Sequence, residues 1–202
     1  MILDFSEMSG ADVFRVMTQV IVPRPIAWVL SDSDGAWNLA PFSFYSGICS
    51  DPPLVMLSVG RRPDGAKKDT WLNIEARSEF VVHLADVDHG EAVSRSSASI
   101  PLGESEVDLT GMTTKAVEGE QLPRLAGPKV AMFCTRYAIH EVGNRPQGLI
   151  LGEVHRVWID DDAVSTRDGQ ISLEPTKLTP LARLGGIQYA ELGRVFEIEK
   201  PE

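Results

Sequence analysis

Five apolar, β-branched runs follow one another along the chain with a helical segment behind only some of them, and this order restricts the fold more than any other feature. They are Ile26 to Leu30, Leu54 to Val59, Glu79 to Leu84, Val130 to Val142 and Leu149 to Ile159. A parallel sheet needs a crossover after every strand, normally a helix. A closed or partly closed antiparallel barrel with a few peripheral helices fits the pattern better. Ser31-Asp32-Ser33-Asp34-Gly35 reads as a hairpin turn leading into Trp37. Gly143 to Gly148 joins the two longest runs as an antiparallel pair, and Asp160-Asp161-Asp162 marks the next turn.

The helical segments lie around these runs. Ser9, with Asp12 behind it, resembles a capping arrangement. Val13, Phe14, Val16, Met17 and Val20 then form an apolar face that ends before Pro23 and Pro25. Thr70 to Ala76 predicts a short helix with Lys68 or Asp69 at its start, and Asp86 to about Ser97 predicts another. Ser99 to Gly127 is rich in turn formers and reads as a long excursion over the body of the protein. A mixed C-terminal piece contains Gly185-Gly186. With no internal repeat or low-complexity linker, one domain over 1–202 is the expectation.

Charge and cysteine usage exclude more than they propose. A net charge of −10 argues against nucleic acid as a partner, because phosphate backbones select basic surfaces. Met1 to Met8 carries acids where a signal peptide has a basic stretch, and no apolar run is long enough to span a bilayer. A soluble, cytoplasmic protein is expected. Cys49 and Cys134 are isolated and predict buried, inert thiols. No His, Cys and carboxylate residues share a metal-ligand spacing, so no metal is expected. His83 falls in an apolar strand and reads as a core residue, and His89 as a solvated one. His140 and His155 lie on the long antiparallel pair, within reach of a site in the barrel. Trp28, Trp37, Trp71 and Trp158 read as packing residues.

Two short stretches carry the chemistry. In Asn38-Leu39-Ala40-Pro41-Phe42-Ser43 the proline cannot donate to a sheet ladder, which makes the stretch an edge, a bulge or a loop. Small residues at Ala40 and Ser43 let backbone groups approach a flat heterocycle with alternating donors and acceptors. An ordinary irregular strand crossing fits the same residues. In Lys68-Asp69-Thr70 a cation and a hydroxyl stand at a helix start, whose free N–H groups and positive dipole end bind phosphate. Asp69 would repel a phosphate directly, and its better role is capping or holding Lys68. A capped surface helix with a solvated basic pair at Lys67 and Lys68 fits too. Arg24, fixed between two prolines, is aimed either at an anion or into a salt bridge.

Taken in order, these residues resemble the flavin reductase-like, FMN-binding split-barrel family. The resemblance runs through Pro23-Arg24-Pro25-Ile26-Ala27-Trp28-Val29, Asn38 to Ser43, Asp51-Pro52-Pro53, Ser58 and Asp64-Gly65. It continues through Lys68-Asp69-Thr70, Asn73-Ile74, Glu79-Phe80-Val81-Val82 and Gly152-Glu153-Val154. Leu181 to Gly186 with Tyr189 fits the branch resembling flavoredoxin and nitrilotriacetate monooxygenase component B. The resemblance covers about Val22 to Pro201 and is poorly anchored over Ser99 to Gly127. It implies a mainly β, six-stranded Greek-key split barrel that binds FMN noncovalently and forms a homodimer with the flavin near the subunit interface. It also implies that Asn38, Ala40, Pro41, Phe42 and Ser43 line the isoalloxazine. Ser58, Lys68 and Thr70 would hold the phosphate and ribityl chain beside Asp69, with Arg24 near them. Arg183, Gly185 and Tyr189 would be contributed across the dimer, or would serve C-terminal packing.

One departure bears on activity. Many short-chain flavin reductases carry Gly-Asp-His before the last long strand, where the His helps receive the nicotinamide. Here that loop reads Asn144-Arg145-Pro146-Gln147-Gly148. No Gly-x-Gly-x-x-Gly follows a strand, so no separate dinucleotide fold is present. The expected activity is hydride transfer from NAD(P)H to FMN, with reduced flavin or electrons passing to an acceptor or a partner monooxygenase. A flavoredoxin-like electron carrier without its own NAD(P)H oxidation is the alternative, and a barrel holding a ligand other than flavin is the third. No catalytic residue is singled out.

Overall fold

The computed structural model describes residues 1–101, 104–167, 169–199 and 201. Ser9 caps α1 (Gly10–Val20): its Oγ accepts from Asp12 N and donates to Asp12 Oδ2. Strands β1 (Ala27–Ser33) and β2 (Ala36–Phe42) form a hairpin. Its turn is confined to Asp34-Gly35, where both φ angles are positive (54° and 92°), the geometry that matches strand twist in two-residue turns. Arg77 ties this turn down by pairing with Asp32 and Asp34.

The chain then forms β3 (Tyr45–Ser50), β4 (Pro53–Val59), helix α2 (Asp69–Arg77) and β5 (Glu79–Leu84). A 3-10 turn at Val87–His89 leads into α3 (Gly90–Arg95), and α4 (Glu106–Thr110) follows. The long pair is β6 (Val130–Val142) and β7 (Gln147–Ile159). Beyond it come a small hairpin (Val164–Arg167 with Gln170–Leu173) and a ribbon that pairs Arg24–Pro25 with Ala182–Arg183 and then Tyr189–Ala190. Residues 191–199 have no regular structure. Among the described residues, no helix is long and apolar enough to cross a membrane.

The main sheet has seven strands, all antiparallel, in the order β2-β1-β5-β6-β7-β4-β3. It curls on itself. Val29 and Phe42, near one end of that order, pack in one cluster with Val55, Leu57 and Val59 from the other. Trp71 and Ile74 of α2 complete this inner cluster. Neighbouring residues of β1 serve opposite faces: Ala27 and Val29 point inward, while Trp28 and Leu30 join a second, outer cluster. The outer cluster is covered by Val93, Val107, Leu122, Leu125 and Leu181. Burial on both faces explains why β1 reads as a continuous apolar run. Leu30, Leu57, Phe80 and Phe133 are buried completely or almost so, and each contributes about 1.5–3 kcal/mol relative to exposure.

Two sequence expectations change, the strand count and the helix over Asp86 to Ser97, and two open points are settled. The mainly β architecture holds, but the sheet has a seventh strand, β3. Apart from Ile48 and Tyr45 its residues are small, and almost all are exposed, so they carry no alternation to read. The stretch from Asn38 takes the edge option and stays in the strand through Phe42. The helix expected over Asp86 to Ser97 is split at Gly90. The apolar face of α1 is not buried against the barrel: Phe14 is 60% exposed and Val20 64%. The Ser99 to Gly127 excursion does cover the body, through α4 and a short pairing of Thr114–Lys115 with Arg124–Leu125; Leu102 and Gly103 lie outside the described residues.

Candidate functional site: two joined clefts at the open edge of the sheet

Strand β2 ends the sheet, so every second residue turns its backbone away from β1. The hydrogen bonds identify which ones. Leu39 N donates to Glu106 Oε2 (2.9 Å), and Trp37 O accepts from Ser105 Oγ (2.9 Å). The odd-numbered residues therefore face outward. By the same alternation Pro41 presents its carbonyl on the open edge, and it has no N–H there to satisfy.

Two clefts meet at this edge and share Pro41, Phe42 and Lys68. The first, of about 350 Å³, is polar and lies between β2, the start of α2 and the end of the α3 segment. Asn38, Ala40, Arg61, Arg62, Asp69, Thr70, Ser96 to Ile100 and Glu106 line it. The second, of about 850 Å³, has aromatic and aliphatic walls from Phe14, Phe44, Met56 and Leu149, with Ser43, Ser58, Gln147, Arg24 and Arg183 among its polar groups.

Lys68 stands at the junction. It is the N-cap residue of α2, and among the described residues no carboxylate lies within salt-bridge distance of its Nζ. Burial in the cleft, and then Arg62 nearby, hold its pKa below the usual lysine value. No side chain caps α2, and its first paired donors are Trp71 N and Leu72 N, both to Lys68 O. The N–H groups of Asp69 and Thr70 thus precede the helical ladder and leave the positive end of α2 open to an anion. Asp69 neither caps the helix nor holds Lys68; it pairs with Arg62 at 2.5 Å. Lys67 turns away from the clefts to Glu75 (2.8 Å) and lies over the Trp71 ring.

Thr70 and Asn38 reach the polar cleft through a buried network. Thr70 is 1% exposed, and its hydroxyl donates to Asn38 Oδ1 (2.8 Å) instead of pointing free into the cleft. Asn38 Oδ1 also accepts from Ser31 Oγ (3.1 Å), and Asn38 Nδ2 donates to both oxygens of Glu106. Ser58 lies in the apolar cleft and Thr70 in the polar one, so the structure separates two residues expected at the same end. Arg24 lines the apolar cleft and makes no salt bridge among the described residues. It is 4% exposed and donates to the carbonyls of Thr18, Ile21 and Leu184, holding the end of α1 to the C-terminal ribbon. Arg183 reaches the apolar cleft within its own chain, with its guanidinium 4.4 Å from the centre of the Tyr189 ring. Tyr189 packs against the outer cluster and lines neither cleft.

Other expectations resolve away from the site. His83 is fully buried: Nδ1–H donates to Trp28 O (3.0 Å) and Nε2 accepts from Leu125 N (2.9 Å), which selects the neutral ring. Burial pushes its pKa down to about 4. His89 is not simply solvated, since its Nδ1 bonds Asp86 (2.6 Å). His140 is exposed and His155 pairs with Glu120 (3.1 Å), so neither approaches the clefts. Cys49 is exposed rather than buried, whereas Cys134 is buried and its pKa is raised by that burial. Trp28, Trp37, Trp71 and Trp158 line neither cleft.

Residues 17–177 match the family described as the flavin reductase like domain. The chain belongs to that family. A protein of Halalkalibacterium halodurans is 36% identical to it over 98% of this chain and 96% of its own length. Among solved structures, nitrilotriacetate monooxygenase component B from Bacillus cereus superposes with a TM-score of 0.90 at 30% identity, covering 98% of each chain. Flavoredoxin of Desulfovibrio vulgaris (Miyazaki F) shares the fold at a TM-score of 0.71 and 19% identity, over 88% of this chain and 91% of its own. The branch expected from the sequence and the split-barrel fold are thereby established.

Several cleft residues of this family member escaped sequence reasoning: Phe14, Arg62, Ser96 to Ser99, Glu106 and Gln147. The serines had a signal, the small residues Ser96-Ser97-Ala98-Ser99 directly after a helix. Glu106 had none, because it lies in the excursion that the family pattern anchors poorly.

Proposed function

We propose that this protein binds FMN across the two joined clefts and acts as an oxidoreductase of the flavin reductase type. The observation that carries this reading is the meeting of the clefts at Pro41, Phe42 and Lys68. A flat ring that bears hydrogen-bonding groups on one edge and a charged tail matches that division. Lys68 and the open end of α2 hold the phosphate, beside the Arg62–Asp69 ion pair. The β2 edge reads the ring: Pro41 O accepts from a ring N–H, and the small side chains of Ala40 and Ser43 permit close approach. Ser58 and Arg183 lie along the apolar cleft within reach of the bound molecule. Bound there, FMN supplies the redox chemistry, accepting a hydride from NAD(P)H and passing reducing equivalents to an acceptor such as a partner monooxygenase. The visible spectrum of the purified protein, before and after added FMN, tests the reading; a protein that takes up no flavin refutes it.

A flavoredoxin-like electron carrier is the second reading, and the loop before β7 favours it. Gln147, where many reductases of the family have the nicotinamide-receiving His nearby, lines the apolar cleft. Anaerobic rapid mixing with NADH and NADPH separates the two. Fast bleaching of the flavin supports the reductase, and reduction by dithionite alone supports the carrier.

We also propose that the chain works as one domain and pairs as a homodimer. Strand β3 is an unguarded sheet edge, with no charged residue, no proline and Ile48 52% exposed. Phe14 and the C-terminal Phe196 (65% exposed) are further apolar surface that a second copy would cover. Ile48→Asp is expected to shift the protein from dimer to monomer in sedimentation. A dimer unchanged by that substitution removes β3 from the interface.

A further inference from the structure

The segment that begins α4 lies along β2 where another strand would lie. Ser105 Oγ donates to Trp37 O and Glu106 Oε2 accepts from Leu39 N, which covers the outward backbone of residues 37 and 39 and stops before Pro41. Glu106 is 5% exposed, and among the described residues no cation lies within ion-pair distance of it. All its contacts are with donors: Leu39 N and, through both oxygens at 3.1 and 3.2 Å, Asn38 Nδ2. A carboxylate only accepts, so it dictates which end of the Asn38 amide faces it. Asn38 Oδ1 must then face the hydroxyls of Ser31 and Thr70, and Asn73 Nδ2 closes the chain on Ser31 Oγ (3.1 Å). A single run of hydrogen bonds thus links α4, β2 and α2, three elements that wall the polar cleft. Buried networks of this kind hold one arrangement because every partner is already committed.

We propose that Glu106 is a positioning residue for the cofactor cleft: its carboxylate orients Asn38, pins the start of α2 through Thr70, and stands in for a strand partner at Leu39, so that β2 keeps only its Pro41 to Ser43 portion free for a ligand. This rests on the FMN reading above and deepens it. Glu106 touches no reacting atom. Its effect on FMN passes through Asn38 and the placement of Lys68 against the β2 edge.

The test exchanges the two side-chain chemistries. In Glu106→Gln the amide oxygen can stay on Leu39 N and Asn38 Nδ2, but the amide nitrogen replaces the second carboxylate oxygen and faces Asn38 Nδ2 donor to donor. Relieving that contact by flipping the Asn38 amide would turn the Thr70 and Ser31 hydroxyls from donors into acceptors. FMN affinity, measured by quenching of flavin fluorescence, is expected to fall roughly tenfold, with a change in the visible spectrum of the bound flavin. In the double variant Asn38→Asp/Glu106→Gln the carboxylate and amide have traded places. Each donor then has an acceptor again without a flip, with the Gln nitrogen and the Thr70 and Ser31 hydroxyls donating to the new carboxylate and Leu39 N to the Gln oxygen. Affinity and spectrum are expected to return close to those of the wild type. All forms are compared at a temperature where circular dichroism shows them folded. Glu106→Gln binding FMN like the wild type, or a double variant no better than the single one, overturns the inference while leaving the FMN reading intact. A wild-type protein that takes up no FMN overturns both.

Discussion

Helix α2 and the 99–127 covering wall the same polar cleft, yet they are held to the barrel by different physics. Beyond its open first turn helix α2 satisfies its own backbone, and it is fastened largely by shape, with Trp71 and Ile74 fully buried among inner-face side chains and the Thr70 and Asn73 side chains bonded to Asn38 and Ser31. The covering has little regular structure, and its backbone groups need partners elsewhere. The barrel and its neighbours supply side chains for them: His83 Nε2 takes Leu125 N–H, while the covering returns Glu106 to Leu39 N and Ser105 to Trp37 O. A regular element needs polar side chains for placement and not for its backbone, whereas an irregular one relies on buried polar groups for its backbone too and inherits their sensitivity to protonation.

That contrast can be broken most sharply with pH. The His83 pKa is lowered from its ordinary 6.5 to about 4 in the folded protein, so its contribution to stability is fully present above pH 6.5. It is lost as pH falls from 6.5 towards and through 4, by about 3 kcal/mol in all. Urea denaturation over that range should show this slope, and the slope should shrink in His83→Gln. An imidazole that titrates near 6.5 by NMR in the folded protein would falsify the assignment. On the α2 side the sensitive feature is shape. A Cβ at Gly148 would lie 2.7 Å from the Trp71 ring, so Gly148→Ala should destabilise by about 1–3 kcal/mol. This loss should not change between pH 5 and 8; a pH-dependent loss would blur the distinction between the two walls.

At the cleft itself, Lys68→Ala should weaken FMN binding by roughly tenfold to a hundredfold, the range for losing a charge-assisted bond, with little change in thermal unfolding. Lys67→Ala serves as the contrast, since Lys67 is engaged with Glu75, and should leave FMN affinity unaltered. Equal effects of the two substitutions would return the phosphate end to a diffuse basic surface. The smallest expected effect is that of Ser105→Ala, which removes the α4 cap and the bond to Trp37 O and should cost about 1 kcal/mol. Hydrogen exchange should rise at Leu39 and in α4, and not in α2.

The same division separates what is legible in the chain from what is not. The bounds of β5 and β6 follow the sequence runs, and the capped start of α1 and the α2 segment are plain, because local patterning and caps fix such elements. Strand β3 is invisible, since an exposed edge whose one aliphatic residue, Ile48, stands among small ones has no alternation to betray it. Pro41 signals an edge position because the lack of an N–H is a property of the residue itself.

The sequence by itself determined a mainly β chain of the flavin reductase-like family, the loop lacking the family's Gly-Asp-His, and the two stretches at Asn38 to Ser43 and Lys68 to Thr70 that meet at the clefts. Only the tertiary structure decided how the polar groups are partnered. It committed Arg24 to three carbonyls, Asp69 to Arg62 and the Thr70 hydroxyl to Asn38, left Lys68 without a carboxylate among the described residues, and brought Glu106 to β2 from 67 residues away. Residue type sets which bonds a side chain can make; which of them it does make depends on the neighbours that folding brings to it.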